Sequence, residues 1–511
     1  MAARAGITLF FYPMTAPNAS SPSQETAPLQ IGWGEGDLTP LKLPVLIPGQ
    51  FYSRVAEGIA DPLGVTALAL ASRGEAVVFV TCDLICVPDH LRDAVRERVA
   101  KLVPSLDPMK IILSGTHTHT GVEIRIPFAE LSQVLEDALV PDAAAVVEGY
   151  IAFAADRIAV AVAQAWEGKS AGAVAFGLGE AVVARNRRWV DKEGISTMYG
   201  LNGEARERFR HIEGYEDHSL NLLATYDAQG RLSGIIVNLP SPSQQGEHGF
   251  EISADFWCET RRELRRRFGD SVAILPQCSA AGDLTSRLIF GQQAHERMLR
   301  LRGRTEREEI AHRIAEGVER VVPCLAAEAD ASPVLEHRVI TLELPVNELT
   351  AQMAEAARQD AAKWEAEYEA ATRQLEENPA LRNEPRWYVT PTRTLRRMRW
   401  YQKVVERYEA LQRGERTQTV EIHVVRLGEI AFASNPFEYY LDYGVQIKVR
   451  SPAIQTFLVQ LAGGGNYVPS PRSVAGGGYG SVPASNPVGP EGGQILAEET
   501  IAALRVLFPE E

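Results

Sequence analysis

Short β-rich segments that alternate with helical ones are the sequence feature that most constrains the fold of this chain. Val65–Ala71 and Ala76–Cys82 are rich in apolar and β-branched residues and flank the turn sequence 72–75, so they predict a hairpin. Apolar residues at helical spacing predict a helix over 88–102, and a short buried strand follows at 110–113. Further elements are predicted at 142–167 (helix), 219–237 (hairpin), 254–268 (helix), 271–275 (strand), 293–321 (helix), 419–434 (hairpin), from about 437 (helix) and 494–507 (helix). This order is typical of a mixed α/β protein.

Composition divides the chain into segments. Residues 13–30 are rich in Pro, Ser, Thr and Ala, so residues 1–30 are predicted to be a flexible leader, followed by one ordered domain over 31–511. Glu348–Glu376 and Thr392–Arg413 predict two helices whose Glu, Arg, Gln and Ala content suits an exposed hairpin, inserted at 348–413. Residues 463–493 are too rich in Gly, Pro and Ser to predict regular structure.

The charge balance excludes some classes of partner. The chain has 52 Lys and Arg against 66 Asp and Glu, a formal net charge of −14. Nucleic acids and anionic lipid surfaces require a basic face, so we expect neither as a partner. The five cysteines form no CxxC pair, which favours reduced thiols in a cytoplasmic protein. Pro13 interrupts an N-terminal apolar stretch that faintly resembles a signal peptide, so secretion is the less favoured alternative.

Two histidines follow the predicted strand at 110–113. His117 and His119 lie at i and i+2, so on an extended segment both imidazoles would point into one cleft. Imidazole suits both zinc binding and acid/base chemistry near neutral pH. An HxH pattern alone is weak evidence, but its place at the end of an apolar strand strengthens it, because loops at strand ends carry sites in α/β sheets.

A second candidate loop follows the predicted strand at 271–275. Residues 277–287 combine small residues, which let a substrate approach the backbone, with Asp283, Thr285 and Ser286. A tight turn with a capping aspartate explains the same residues without catalysis.

These motifs together resemble the neutral ceramidase family. The THTHTG sequence after an apolar strand, Gly-Asp followed by a hydroxyl residue, and a late YVPS segment are shared with it, and they occur in the family's order from about residue 31 to 508. Supporting matches are Asn186-Arg187, Ile252–Phe256, Asn435–Glu438, and the 12-residue separation of Tyr467 and Tyr479. The resemblance therefore implies a neutral-ceramidase-like catalytic domain with a mixed sheet.

The resemblance also implies roles for individual residues. His117, Glu438 and Tyr467 would bind one Zn²⁺, and His119 would act as the acid/base next to it. Arg187 and Tyr479 would hold the substrate's carbonyl oxygen as it becomes an oxyanion. The chemistry suits these roles, because zinc lowers the pKa of a bound water toward about 7 and donors aimed at developing charge stabilise it. The tyrosines could instead be aromatic lids, and Glu438 a cap at a helix start.

The sequence departs from the family at three places. No histidine follows Val237-Asn238, where the family has its second zinc histidine. His248 could reach back to the metal, or Gln244 or a water could complete the site. Thr285 stands at the position of the catalytic serine. Nothing remains for the family's C-terminal β-domain, and no apolar anchor suggests a membrane surface. These departures argue against ceramide as the substrate.

The sequence therefore predicts a zinc-dependent hydrolase that cleaves an amide or related bond in a small soluble polar molecule. In this prediction metal-bound hydroxide attacks, His119 shuttles the proton, and Thr285 orients water or substrate. One alternative is a glycoside-acting enzyme that pairs two of Asp83, Asp255 and Asp283, although all three could be structural carboxylates. Another is an inactive relative that only binds a ligand. The helical hairpin could also serve assembly, so a homo-oligomer is a further expectation.

Overall fold

The structure, a computed structural model, describes residues 28–125, 140 and 142–509. The predicted flexible leader, residues 1–30, falls almost entirely outside the described residues. The longer strands are β1 (Gln30–Asp37), β2 (Gly64–Ser72), β3 (Glu75–Cys82), β4 (Ile111–Gly115), β5 (Ser170–Glu180), β6 (Ser219–Asp227), β7 (Leu232–Leu239), β8 (Ala273–Cys278), β9 (Leu335–Pro345), β10 (Thr417–Leu427), β11 (Ile430–Ser434) and β12 (Gln455–Val459).

The described α-helices are α1 (Asp89–Leu102), α2 (Ala143–Glu167), α3 (Glu204–Arg208), α4 (Phe256–Phe268), α5 (Gln292–Arg302), α6 (Glu306–Leu325), α7 (Ala351–Glu377), α8 (Val389–Gln412), α9 (Leu441–Arg450), α10 (Pro471–Gly476) and α11 (Pro490–Leu507). Short 3₁₀ turns lie at Pro108–Lys110, Ala326–Glu328, Pro379–Asn383 and Pro483–Ser485. Short strand pairs involve Leu46–Ile47, Arg54–Val55, Gly58–Ile59, Arg185–Asn186, Arg188–Asp191, Ser196–Met198, Phe209–Ile212, Glu251–Ile252, Leu284–Thr285, Glu438–Tyr439 and Tyr467–Val468.

One arrangement of strands and helix occurs three times. In an eight-stranded sheet of order β8-β7-β6-β5-β1-β2-β3-β4, the antiparallel strands β1, β2 and β3 lead through α1 to β4, which is parallel to β3. The strands β5, β6 and β7 lead in the same way through α4 to β8. A four-stranded sheet repeats the pattern with β9, β10 and β11, then α9, then β12. The mixed α/β prediction is therefore confirmed.

The two sheets pack face to face beneath outer helices. Successive side chains of a strand point to opposite faces, and in β2 Leu68 and Leu70 enter the core between the sheets while Val65, Ala67 and Ala69 face α1 and α2. The helices α4 and α6 cover the other half of the large sheet, and α9 and α11 cover the small one. The result is a four-layer sandwich, in which helices cover the outer face of each sheet.

The two helices α7 and α8 form the predicted hairpin, which connects β9 to β10. It is not a free-standing appendage, because α8 packs against the body of the protein: Arg396 donates to the carbonyls of Gln50 and Tyr52, at 3.0 and 2.9 Å. Arg407 likewise donates to the Asn486 carbonyl at 2.8 Å. The hairpin is thus held between two loops of the rest of the protein.

Two predicted helices differ in their bounds. The predicted helix over 293–321 is two helices, since Gly303 takes the left-handed conformation that ends α5 and Thr305 forms a capping box with Glu308 that starts α6. The helix predicted from about residue 437 begins only at Leu441, because Glu438–Tyr439 first pairs with Tyr467–Val468. Among the helices that the structure describes, none has the length and apolarity that crossing a bilayer requires.

Candidate active site

His117 lies just after β4, and a backbone carbonyl determines which of its two ring nitrogens carries the proton. Its φ of +63° is rare for a residue with a side chain, and its backbone N–H donates to the Leu84 carbonyl at 3.0 Å. The sequence analysis assumed that the two histidines lie on an extended segment. The left-handed backbone at His117 shows that they do not. The Nδ1 of His117 is 2.7 Å from the Ile85 carbonyl oxygen, which can only accept. The proton is thus on Nδ1, and Nε2 presents a lone pair to the site.

Glu438 and Tyr467 are brought together by a short parallel strand pair in which they are direct partners. This places Glu438 Oε2 3.3 Å from His117 Nε2. The loop after β8 supports this arrangement from behind, because the Gly282 N–H donates to the Tyr439 carbonyl at 2.9 Å. A Cβ at Gly282 would lie only 2.3 Å from the Glu438 carbonyl oxygen, so glycine is required at that position.

Arg187 is the hub of the polar network. Its two terminal nitrogens donate to Tyr199 Oη at 3.0 Å, Gln244 Oε1 at 3.3 Å, the Gly282 carbonyl at 2.8 Å and Tyr467 Oη at 3.2 Å. All four terminal N–H bonds therefore have protein acceptors, and only the buried Nε–H lacks a partner among the described residues. In this arrangement Arg187 orients its neighbours, and its predicted direct role at an oxyanion stays a prediction.

His119 faces His117 across the site. Because Gln244 presents its oxygen to Arg187, its amide nitrogen donates to His119 Nε2 at 2.9 Å. The Nδ1 of His119 then carries the proton and points toward Glu247 Oε2, 3.9 Å away. Burial, followed by the charges of His117, Arg54 and Arg187, lowers the pKa of His119 well below its usual value. His119 is thus a neutral imidazole, and its neighbours determine that its ring proton is on Nδ1.

A carboxylate oxygen and two ring nitrogens lie close together in the site. His117 Nε2 lies 3.3 Å from Glu438 Oε2 and 3.4 Å from His119 Nε2. Imidazole and carboxylate are ligands that zinc accepts. No group of three His, Cys, Asp or Glu side chains in the described ranges could hold a metal ion by itself. A metal ion would therefore need a further ligand, and the Tyr467 oxygen, which the resemblance implies as one, stays a prediction.

His248, the fourth predicted metal ligand, is not brought to this group. Its side chain is 60% exposed, and its Nε2 lies 3.0 Å from an Arg287 nitrogen and 3.5 Å from Glu247 Oε1. It lines the outer part of the same cavity as His119. In its place Gln244, the alternative that the sequence left open, lies directly beside His119 and Arg187.

The predicted catalytic residues Asp283 and Thr285 lie beneath the site. Asp283 accepts from Asn186 Nδ2 at 2.7 Å and from the Leu441 N–H at 2.9 Å, and burial raises its pKa to about 6. Thr285 Oγ1 accepts from the Arg287 N–H at 3.2 Å. Neither is among the described residues that line the cavities next to the histidines. Their catalytic roles stay predictions, whereas their contacts are those of structural residues.

The other two aspartates that were candidates for glycoside chemistry also have structural partners. Asp83 is buried in a two-bond pair with Arg261, at 2.7 and 3.0 Å. Asp255 accepts from the Gly246 and Phe256 N–H groups, each at 2.7 Å, and burial raises its pKa to about 6. The described linings of the two cavities include neither.

Two adjoining cavities of about 240 and 610 Å³ are lined by His119, and the smaller one is also lined by His117. Tyr467 and Tyr479 line both, and their rings meet edge to face with centroids 5.5 Å apart. Sequence reasoning missed the residues of the opposite wall, Phe51 and Trp400, whose rings lie 5.6 and 6.0 Å from that of Tyr479. The spacing of large and basic residues on α8 was a usable signal, since 396, 399, 400 and 403 fall on one helical face.

Comparison with known proteins identifies the fold. No protein-family model matches the sequence, and no curated protein does. Among solved structures, the neutral ceramidase from Pseudomonas aeruginosa matches with a TM-score of 0.63 and 17% identity, over 95% of this chain and 76% of that one. A structure described as a ceramidase complexed with C2 matches with a TM-score of 0.64, 17% identity and the same coverages. The chain has a neutral-ceramidase-like fold, and the predicted resemblance is confirmed at that level.

Proposed function

We propose that the protein is a hydrolase that uses one zinc ion to cleave an amide or related bond in a soluble polar molecule. The observation that carries the proposal is the convergence of His117 Nε2, Glu438 Oε2 and His119 Nε2 beside an open cavity. The likeness of the fold to two ceramidase structures supports a hydrolase. Ceramide itself is not part of the proposal.

His117, Glu438 and Tyr467 would hold the zinc ion. When bound, zinc supplies Lewis acidity that polarises a carbonyl and makes a water acidic. His117 is prepared for this role because its Nδ1–H bond to Ile85 fixes the tautomer that leaves Nε2 available. Arg187 holds the phenol of Tyr467 and the amide of Gln244 in place, so the ligand atoms and His119 keep their relative positions.

His119 would move the proton. Its Nε2 can accept a proton from the attacking water once the Gln244 amide yields that position, and can later return it to the leaving nitrogen. The carboxylate of Glu247, 3.9 Å from Nδ1, stabilises the imidazolium that forms in between. Tyr479, on the cavity wall, can donate its phenol proton toward the developing oxyanion.

A glycoside-acting enzyme is a weaker candidate. That chemistry needs two carboxyl groups on opposite sides of the sugar, about 5–10 Å apart and in contact with the substrate. Asp83, Asp255 and Asp283 are engaged by Arg261 and by backbone N–H groups, away from the cavities. The geometry therefore favours amide or related hydrolysis.

Metal content tests the proposal directly. We expect elemental analysis of protein purified without a metal-binding tag to find about one zinc per chain in wild type and in His248→Ala, and almost none in His117→Ala. The exposed His248 serves as the matched control. Loss of zinc from both variants would make His248 a ligand after all. Absence of zinc from wild type, even after reconstitution, would overturn the zinc hydrolase and leave a ligand-binding protein.

A further inference from the structure

Two arginines that are adjacent in the sequence contact the two tyrosines of the cavity wall in different ways. Tyr467 and Tyr479 line both cavities. Arg187 donates to the phenol oxygen of Tyr467 at 3.2 Å. Arg188, at the start of the short strand Arg188–Asp191, instead donates to the backbone carbonyl of Tyr479 at 2.7 Å. Arg188 therefore acts on the segment that carries Tyr479, and not on the phenol itself.

The segment that carries Tyr479 is made almost entirely of glycine. Residues 476–480 have the sequence Gly-Gly-Gly-Tyr-Gly, and Gly477, Gly478 and Gly480 have left-handed φ angles of +72°, +82° and +85°. Glycine adopts such angles without strain, but it also has more backbone freedom than any other residue. A phenol on such a segment keeps one position only if other residues fix the backbone.

Arg188 supplies this restraint through hydrogen bonds on both sides of Tyr479. Its second terminal nitrogen lies 2.6 Å from the Gly477 carbonyl oxygen and 3.3 Å from the Ser473 carbonyl oxygen. The same nitrogen lies 3.1 Å from Ser481 Oγ, which in turn donates to the Gly477 carbonyl at 2.6 Å. The acceptors precede and follow Tyr479 in the chain, so one buried side chain restrains the backbone before and after it.

Glu213 holds Arg188 in place. The two side chains form a buried ion pair in which they are 0% and 2% exposed. Glu213 also accepts from Ser196 Oγ at 2.6 Å and from Ser473 Oγ at 3.0 Å, so the carboxylate is tied to the glycine-rich segment as well. Removing one partner of a buried ion pair leaves the other without compensation, which makes the pair difficult to separate. We call Arg188 and Glu213 together the clasp.

We propose that Arg188 is a positioning residue for Tyr479: the clasp fixes the backbone of residues 473–481 so that the phenol stays on the cavity wall. The proposal rests on the proposed function, in which Tyr479 donates its proton toward the oxyanion. Because Arg188 bonds to the carbonyl of Tyr479, the phenol is left for the substrate. Loss of the clasp should therefore lower kcat more than it raises KM, since alignment with the oxyanion matters only once that charge develops.

The coupling between Arg188 and Tyr479 tests the proposal by kinetics. Arg188→Lys keeps the charge but loses the planar fork, so we expect kcat for the best amide substrate to fall about tenfold with KM within about twofold. Tyr479→Phe should lower kcat about 100-fold, and adding Arg188→Lys to it should lower kcat by less than about twofold more. Arg96→Lys is the matched control, because Arg96 forms another buried pair, with Glu421, outside the described linings of the two cavities. It should leave kcat nearly unchanged in both backgrounds.

Hydrogen exchange followed by mass spectrometry separates the clasp from the hydrolase. We expect peptides covering residues 473–485 to exchange at least about tenfold faster in Arg188→Lys than in wild type, and at the wild-type rate in Arg96→Lys. Ser481→Ala removes a single contact of the clasp and should show the same change to a smaller extent, so it serves if Arg188→Lys does not fold.

The outcomes distinguish the two proposals. Unchanged exchange over residues 473–485 in both clasp variants overturns the clasp, whether or not amides are cleaved. Faster exchange with kcat losses that are independent in Arg188→Lys and Tyr479→Phe overturns the positioning role, while the hydrolase stands. If wild type cleaves no amide, the hydrolase fails, and faster exchange confined to residues 473–485 still supports the clasp.

Discussion

Two buried histidine pairs in this protein have nearly the same composition and different consequences. His117 and His119, at the candidate site, are 3% and 7% exposed, and His337 and His423, on the paired strands β9 and β10, are 5% and 3% exposed. Each pair has a nearby carboxylate that an arginine holds: Glu247 with Arg287 for the first, and Glu421 with Arg96 for the second. Burial and residue type therefore do not distinguish them.

The difference lies in what surrounds the ring nitrogens. In the second pair, His337 Nδ1 lies 3.1 Å from the Ala76 carbonyl oxygen, and His337 Nε2 lies 2.9 Å from His423 Nδ1. His423 Nε2 in turn lies 3.0 Å from Glu421 Oε1, so every ring nitrogen has a close protein partner. In the first pair the two Nε2 atoms lie 3.4 Å apart beside a cavity, and His119 Nδ1 has no hydrogen-bond partner among the described residues. Enclosed ring nitrogens stabilise a core, whereas ring nitrogens at a cavity can meet a ligand.

The largest expected effect is on turnover. We expect His119→Gln to lower kcat/KM for the best amide substrate about 1,000-fold, because the residue that accepts the proton is lost. His337→Gln, the matched change in the second pair, should leave kcat/KM within about threefold of wild type at neutral pH. Steady-state kinetics on both variants, with circular dichroism to confirm folding, makes the comparison. Equal losses in the two variants would show that the pairs are not functionally distinct.

The second pair should instead control stability in acid. Burial, then the charges of His423, Lys110 and Arg96, lowers the pKa of His337 to about 3, against 6.5 in the unfolded chain. The unfolded chain therefore binds a proton that the folded one refuses between these values, so stability is unaffected above pH 6.5 and falls as pH drops toward 3. At pH 4.5 this costs about 3 kcal/mol. Urea unfolding at pH 7 and 4.5 should show a smaller pH difference in His337→Gln, and an unchanged difference would contradict the assignment.

The sequence predicts the elements of this fold better than it predicts the site. Two hairpins, β2 with β3 and β6 with β7, can be predicted from their apolar runs and turn residues. Their paired strands are neighbours along the chain. The strands β1, β5, β9 and β12 were missed; few residues of β5 and β9 are deeply buried, and β12 is only five residues long. Their place in the sheets depends on strands far away in sequence.

The site can be predicted only in part from the sequence, because several of its contacts join residues that are far apart along the chain. The HxH motif pointed to His117 and His119 and the family resemblance to Glu438, but Gln244 becomes significant only once Arg187 fixes the orientation of its amide. No sequence motif reveals the second histidine pair, because His337 and His423 lie 86 residues apart and meet only where β9 pairs with β10. Asp283 looks catalytic in the sequence, yet its partners, the Asn186 side chain and the Leu441 N–H, lie far away along the chain.

A further imidazole next to His119 would test where the metal lies. Gln244 donates to His119, and Gln244→His would offer a second nitrogen ligand beside His119 and Arg187. We expect the variant to hold zinc about 30-fold more tightly, equivalent to about 2 kcal/mol. Competition with a chromophoric chelator measures the zinc affinity of wild type and variant, with His248→Gln as a control outside the ligand group. An unchanged affinity would place the metal away from Gln244.

The smallest effect concerns the carboxylate next to each pair. Glu247 lies 3.9 Å from His119 Nδ1, too far for a hydrogen bond in the resting state, whereas Glu421 contacts His423 at 3.0 Å. If Glu247 serves mainly to stabilise an imidazolium that forms during the reaction, Glu247→Gln should lower kcat about tenfold and leave KM nearly unchanged, because the substrate is bound before that charge appears. Glu421→Gln should lower stability and spare kcat. A Glu247→Gln variant with raised KM and normal kcat would make Glu247 a substrate-binding residue and remove it from the proton path.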